Sequence, residues 1–100
     1  MFLYNITLIT EDAAAAEFLL HLHEAHHPEI MATDLFVSGR ILRVVDSPNE
    51  GVTFCLQYVA ESMEDYQRYQ LQHAPAAELK LNARFPDKFV SFSTLMEYIA

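Results

Sequence analysis

A histidine followed two residues later by proline occurs twice in this chain, as His26-His27-Pro28 and as His73-Ala74-Pro75. Imidazole changes charge near neutral pH. Two rings held close together disfavour double protonation, so one of them stays neutral as an acceptor or base. Proline has no N–H and clashes with the preceding turn, so each histidine sits where a helix must bend or end. Each can then also satisfy a carbonyl that the proline leaves free. A functional pair and a helix-end repair are both compatible with the spacing. Tyrosine recurs beside these histidines: Tyr4, Tyr58, Tyr66, Tyr69 and Tyr98. A phenol with a buried ring and a bonded hydroxyl is ordinary core material, and core is the favoured reading for Tyr4, Tyr66 and Tyr69. Asn5, Arg43 and Gln57 interrupt apolar runs, and a buried polar group must find a partner or stay wet. They suit a polar patch inside a dimer or exposure at a sheet edge. His26, His73, Tyr66, Tyr58, Asn5 and Arg43 are therefore the candidate ligand-binding residues, with no catalytic residue assigned.

His23-Glu24-Ala25-His26-His27 matches H-E-x-x-H, in which two histidines four apart hold zinc and the glutamate is the base. Pro28 follows the second histidine directly, where helical geometry fails, and on a helical wheel Glu24 faces away from the apolar stripe. Cys55 is solitary. No metal site is expected.

Positioning these residues requires elements. Phe2 to Thr10 alternates and is rich in β-branched and aromatic side chains, which predicts a strand. From Asp12 the register becomes helical, with Ala14, Ala15, Phe18, Leu19, Leu22, Ala25 and His26 on one stripe. This helix is expected to reach about His27, break or kink at Pro28 and add one turn to Thr33. Leu35 to Val45 and Val52 to Ala60 read as strands joined by Asp46-Ser47-Pro48-Asn49-Glu50-Gly51, a hairpin. Ser62-Met63-Glu64-Asp65 is a capping box that starts a second helix. Its inward stripe is Met63, Tyr66, Tyr69 or Gln70, and His73, and Pro75 interrupts it before a further stretch to about Arg84. Lys88 to Ile99 is the last strand. The order β-α-β-β-α-β predicts an α+β ferredoxin-like sandwich over residues 1–100, a single domain with both helices on one face of a four-stranded antiparallel sheet. Right-handed crossovers place the helices side by side, which would bring His26 and His73 together. A pocket between helices and sheet is expected there. Both faces of several strands are apolar: Tyr4/Ile6/Leu8 against Leu3/Ile9, and Phe54/Leu56/Tyr58 against Cys55/Val59. The second face needs a cover, and a second copy of the chain is the simplest one, so a homodimer is expected.

Composition narrows the partners. Six Lys and Arg against fourteen Asp and Glu in 100 residues leave a net charge of −8. The basic residues Arg40, Arg43, Arg68, Lys80, Arg84 and Lys88 are scattered, which argues against nucleic acid and anionic membranes as partners. No apolar run is long enough to span a bilayer, and Met1-Phe2-Leu3-Tyr4-Asn5 has no basic leader region. With one cysteine, the expected compartment is the reducing cytoplasm.

Across nearly its whole length the chain resembles a family of short bacterial proteins known only as a domain of unknown function, of the dimeric α/β-barrel (ferredoxin-like) type. The resemblance is carried by Tyr4-Asn5-Ile6-Thr7, His26-x-Pro28-Glu29-Ile30-Met31-Ala32-Thr33, Gln57-Tyr58, Ser62-Met63-Glu64-Asp65-Tyr66-x-Arg68-Tyr69, His73-Ala74-Pro75 and Phe89-Val90-Ser91-Phe92. In that family Gly commonly follows the Ala-Thr pair, where this chain has Asp34. Asp also tolerates a left-handed turn. The resemblance implies the fold and the dimer and no established activity. Fold relatives include cofactor-free monooxygenases, heme-degrading enzymes and isomerases, but fold does not imply function. Two histidines on adjacent helices of one subunit do not by themselves make an axial heme site, so no cofactor is expected. The two functional expectations are a small-molecule pocket near His26 and His73, and a non-catalytic dimeric protein-interaction or regulatory module.

Overall fold

The computed structural model describes residues 1–48 and 50–100. The strands are β1 (Phe2–Thr10), β2 (Ser38–Arg43), β3 (Val52–Ala60) and β4 (Phe89–Glu97). The α-helices are α1 (Ala15–His21), α2 (His27–Met31), α3 (Met63–Gln72) and α4 (Ala74–Arg84). A 3-10 turn, Asp12–Ala14, leads into α1. The sheet has the order β2-β3-β1-β4 with every neighbouring pair antiparallel. This is the ferredoxin-like order. The sheet is open, with β2 and β4 at its edges, and one chain does not close a barrel.

Strand alternation divides the sheet into two unlike faces. Tyr4 and Leu8 of β1 and Phe54, Leu56, Tyr58 and Ala60 of β3 point to the helices and are buried. They meet Phe18, Leu22 and Ile30 from the first helical segment and Tyr69, Ala74 and Leu81 from the second. Across the other face run Val90, Phe92 and Met96 of β4, Leu3, Asn5, Thr7 and Ile9 of β1, Cys55, Gln57 and Val59 of β3, and Leu42 of β2. This face carries no helix, and Val90 and Phe92 are 62% and 58% exposed.

The first helical segment departs from the expected break at Pro28. A π turn, Leu22–His26, joins α1 to α2, and the N–H of His27 bonds the Leu22 carbonyl five residues back. Pro28 then sits in the first turn of α2, where its missing N–H is harmless. Phe18, Leu22, His26 and Ile30 are all buried at a constant spacing of four. A regular α-helix would rotate each successive member further off the face, and the wider turn offsets that drift. The second segment does break. His73 leaves helical geometry (φ −126°) between α3 and α4. Ser62 caps α3 as expected, its Oγ accepting the Asp65 N–H at 3.1 Å. Met63, expected inward, is exposed, while Tyr69 holds the core position.

Strand β2 begins later than expected, because Leu35, Phe36 and Val37 approach β3 before ladder pairing begins, and β4 spans Phe89–Glu97 where 88–99 was expected. Phe36 is buried, and the Val37 N–H bonds the Val59 carbonyl. Asp34, Asp46 and Asp87 adopt left-handed geometry (φ +61°, +55° and +58°), the conformation allowed for at Asp34. Gly51 does so too, and a Cβ there would clash with the Thr10 carbonyl. Asn49 of the expected hairpin turn lies outside the described residues. No helix among the described residues is long and apolar enough to cross a membrane.

Candidate functional site

A cavity of about 280 Å³ opens between α4 and the helix side of β1 and β4. Small residues create it. Ala74 and Ala77 of α4 face Ser91 and Ser93 of β4, where larger side chains would fill the layer. Ser91 and Ser93 pair with Leu8 and Ile6 in the ladder, which places them on the helix side of the edge strand. Ile6, Leu8, Leu81 and Phe89 form apolar walls, and Tyr4, Tyr69, Asn82 and Glu78 add polar groups.

His26 borders this cavity from the π turn. It is only 6% exposed, and no hydrogen bond joins its ring to any described residue. Burial lowers its pKa from 6.5 to about 4, helped by His21 and His27 and opposed by Glu29. The ring is therefore neutral at pH 7, with an acceptor nitrogen on a buried ring that borders the cavity. Burial also raises the Tyr4 phenol. A hydrogen bond with Gln70 draws it partly back, and Glu78 adds to the rise. Tyr69 is raised by burial, then by Tyr4 and Glu78. Both phenols are protonated donors at neutral pH.

His73 faces elsewhere. It lines a neighbouring groove of about 310 Å³ with Glu29, Thr33, Gln72 and Lys80, and its ring stacks on Tyr69 at 6.0 Å. Tyr69 lines both spaces. No hydrogen bond joins His26 to His73, and His73 is not among the groups that perturb His26. The structure thus divides the two histidines between two spaces: the π turn keeps His26 on the core face, and the helix break turns His73 out of it.

The other sequence candidates are also dispersed. Tyr58 lies in the core and bonds His27, its hydroxyl 2.8 Å from Nδ1 with the rings stacked at 5.5 Å. Burial raises the Tyr58 phenol, followed by Tyr69 and Tyr4, so it stays protonated at neutral pH, and the tautomer of His27 sets which group of the pair donates. Burial and His23 lower the pKa of His27. Gly39 permits this packing, since a Cβ there would come within 2.7 Å of the Tyr58 ring and Met31 Sδ. Tyr66 packs edge-on against Tyr4 at 5.4 Å. Asn5 is on the opposite sheet face, accepting from Gln57 Nε2 at 3.2 Å and donating to Thr7 Oγ1 at 3.1 Å. Arg43 is exposed at the end of β2, its guanidinium 5.5 Å from the centre of the Phe54 ring. Of the H-E-x-x-H residues, His23 and Glu24 are exposed, while the second histidine, His27, is half-buried and bonded to Tyr58. Among the described residues no three His, Cys, Asp or Glu side chains gather as a metal-holding group.

Tyr4, Tyr69, Glu78, Ser91 and Ser93 line the cavity without having been candidates. Ser91 and Ser93 in an otherwise apolar strand were the available signal. They fall on the face that should have been core.

Solved structures share this architecture. The chain is similar to SnoaB, a cofactor-independent oxygenase from Streptomyces nogalater, at 16% identity over 99% of this chain and 93% of that one, with a TM-score of 0.74. It is similar to a dimeric ferredoxin-like protein from an uncultured marine organism at 19% identity over the full length of both chains, TM-score 0.67. An ethyl tert-butyl ether d (ethd) family protein from Bacillus halodurans matches 99% of this chain over its whole length at 18% identity, TM-score 0.69. At such identities the likeness shows the fold. None of the curated proteins matches the chain. The family model described as a domain of unknown function, DUF4286, matches residues 1–99, and the chain belongs to that family.

Proposed function

We propose that the protein binds a small, largely apolar molecule carrying a hydrogen-bond donor in the cavity between α4 and the sheet, with His26 as the neutral acceptor. One observation carries this reading: a histidine at 6% exposure borders a cavity of about 280 Å³ and has no hydrogen-bond partner among the described residues. A ligand donor would supply the hydrogen-bond partner that the ring has not found among the described residues. Ile6, Leu8, Leu81 and Phe89 supply apolar contact, and Ser91, Ser93 and Asn82 supply orientation. Tyr66 supports the site through Tyr4, and Tyr58 supports it by fixing His27 beside His26. His73 and Arg43 have no part in it.

We place the site in a homodimer formed by the helix-free sheet face. Exposed Val90, Phe92, Met96 and Leu42 support this, as does the existence of dimeric ferredoxin-like proteins with the same fold. Asn5 and Gln57 would then add a bonded polar pair that sets the register of two copies. The lone Cys55 supports a reducing compartment.

The test is NMR observation of the histidine rings during titration with millimolar 4-ethylphenol, a neutral apolar donor. A change in the acceptor nitrogen of His26, with His73 unmoved and the effect lost in His26→Leu, is the expected result. An unperturbed His26 at saturating probe overturns the pocket. The exposed apolar face then favours the second reading, an interaction module acting through its dimer.

A further inference from the structure

We propose that the ligand of this cavity is a cationic amine, its ammonium group held by the Glu78 carboxylate at the mouth and its apolar body lying against Ile6, Leu8 and Phe89. This rests on the small-molecule reading above and names the chemical class. Glu78 is the only charged side chain among the residues lining the cavity, and no lysine or arginine borders it. An anionic ligand would meet a carboxylate and no compensating charge, whereas a cation meets an attractive one.

The Glu78 carboxylate is also free to act. The ion pairs of the described residues use Glu64, Glu29, Glu17 and Glu11, and Glu78 takes part in none of them. Both cations of its own helix are turned toward the first helical segment: Lys80 Nζ lies 3.4 Å from Glu29, and Arg84 3.0 Å from Glu17. The Asn82 side chain bonds the Glu78 backbone carbonyl at 2.9 Å and leaves the carboxylate uncommitted. The charge reaches the cavity interior, because Glu78 raises the phenols of Tyr4 and Tyr69, which line the same space. Their rings offer faces that attract a cation. The neutral His26 places no opposing positive charge inside, and a protein of net charge −8 draws cations toward it.

Three compounds of matched shape test the class: 4-ethylphenol, which is neutral, tyramine, which is cationic, and 4-hydroxyphenylacetate, which is anionic. Their affinities are read by calorimetry and by the His26 ring shifts at pH 7. Tyramine should bind about fivefold tighter than 4-ethylphenol, and 4-hydroxyphenylacetate weaker by a similar factor, as expected for one solvent-exposed ion pair. In Glu78→Gln the three affinities should converge, and added salt should compress the wild-type differences in the same direction. If 4-ethylphenol binds at His26 but tyramine is no tighter, or if its advantage survives in Glu78→Gln, the amine assignment is overturned and the pocket stands. If none of the three binds, both fall.

Discussion

The same three-residue pattern, histidine, any residue, proline, is resolved in two different ways in the two halves of this molecule. In the first half the chain stays helical. His27 bonds the Leu22 carbonyl five residues back, and the wide turn carries His26 onto the face already occupied by Phe18 and Leu22. In the second half His73 bonds the Tyr69 carbonyl four residues back at 2.9 Å, and the chain then leaves helical geometry. Both prolines end up in the first turn of the following helix. The difference follows from what comes next. Ile30, four residues after His26, is needed in the core, so the face must be continued. After His73 come Ala74 and Ala77, whose small side chains leave space beneath the helix, and there the cavity forms. One proline is thus accommodated to deliver a histidine, and the other to open room for something to meet it.

The comparison is broken most severely at the π turn. Leu22 is fully buried, and Leu22→Ala should destabilise the fold by about 3–5 kcal/mol in chemical denaturation. Leu71 in α3 is 81% exposed, and Leu71→Ala should lie within about 0.5 kcal/mol of wild type. Comparable losses at the two positions would mean that the π turn is not packed as described.

The second prediction uses acid. His26 has its pKa lowered to about 4 in the folded protein, so between pH 6.5 and 4 the unfolded chain takes up a proton that the folded chain does not. The stabilisation from a neutral His26 is complete above pH 6.5 and is lost as pH falls toward 4. The loss is on the order of 3 kcal/mol from the size of the shift. His27, also lowered, adds in the same direction. His26→Leu should flatten this slope, measured as denaturation midpoints at pH 7 and pH 4.5, and His73→Leu should leave it in place. An equal change in both variants would erase the distinction between the two motifs.

How much of this was legible in the sequence depended on whether the signal was local. Alternation in Phe2–Thr10 and Val52–Ala60, the Ser62 cap and the left-handed Asp34 are set by neighbouring residues, and all could be read along the chain. The π turn could not, because burial every fourth residue looks like an ordinary amphipathic helix until packing shows that the drift has been removed. Pseudo-symmetry suggested that His26 and His73 would meet, but symmetry of element order does not carry over to the geometry at each proline. The cavity was hidden for a different reason. It is made by Ala74, Ala77, Ser91 and Ser93, and small residues announce nothing unless the strand register and the facing helix are both known. The His27–Tyr58 bond likewise joins residues 31 positions apart.

That bond carries the third prediction. Tyr58→Phe keeps the ring and removes the hydroxyl that bonds His27 Nδ1, so stability should fall by about 1 kcal/mol. The change should appear with little loss of packing, since Tyr58 is fully buried and Phe fills nearly the same volume. Gly39→Ala attacks the same contact from the other side, by pushing the ring. The two substitutions should be non-additive, because each disturbs the same contact.

The smallest effect is expected where the two helical halves are tied together at the surface. Lys80 of α4 pairs with Glu29 of α2, and Arg84 of α4 pairs with Glu17 of α1. All four side chains are about half exposed or more, so each pair is screened by water and offset by the entropy of holding two long side chains. Lys80→Gln or Arg84→Gln should change stability by only a few tenths of a kcal/mol, the effect shrinking further as salt is raised. Arg84→Gln should be the larger of the two, because its guanidinium also lies 4.8 Å from the centre of the Phe85 ring. Equal losses in the two variants, or a larger one for Lys80→Gln, would mean that the contact between the Arg84 guanidinium and the Phe85 ring contributes nothing beyond the ion pair.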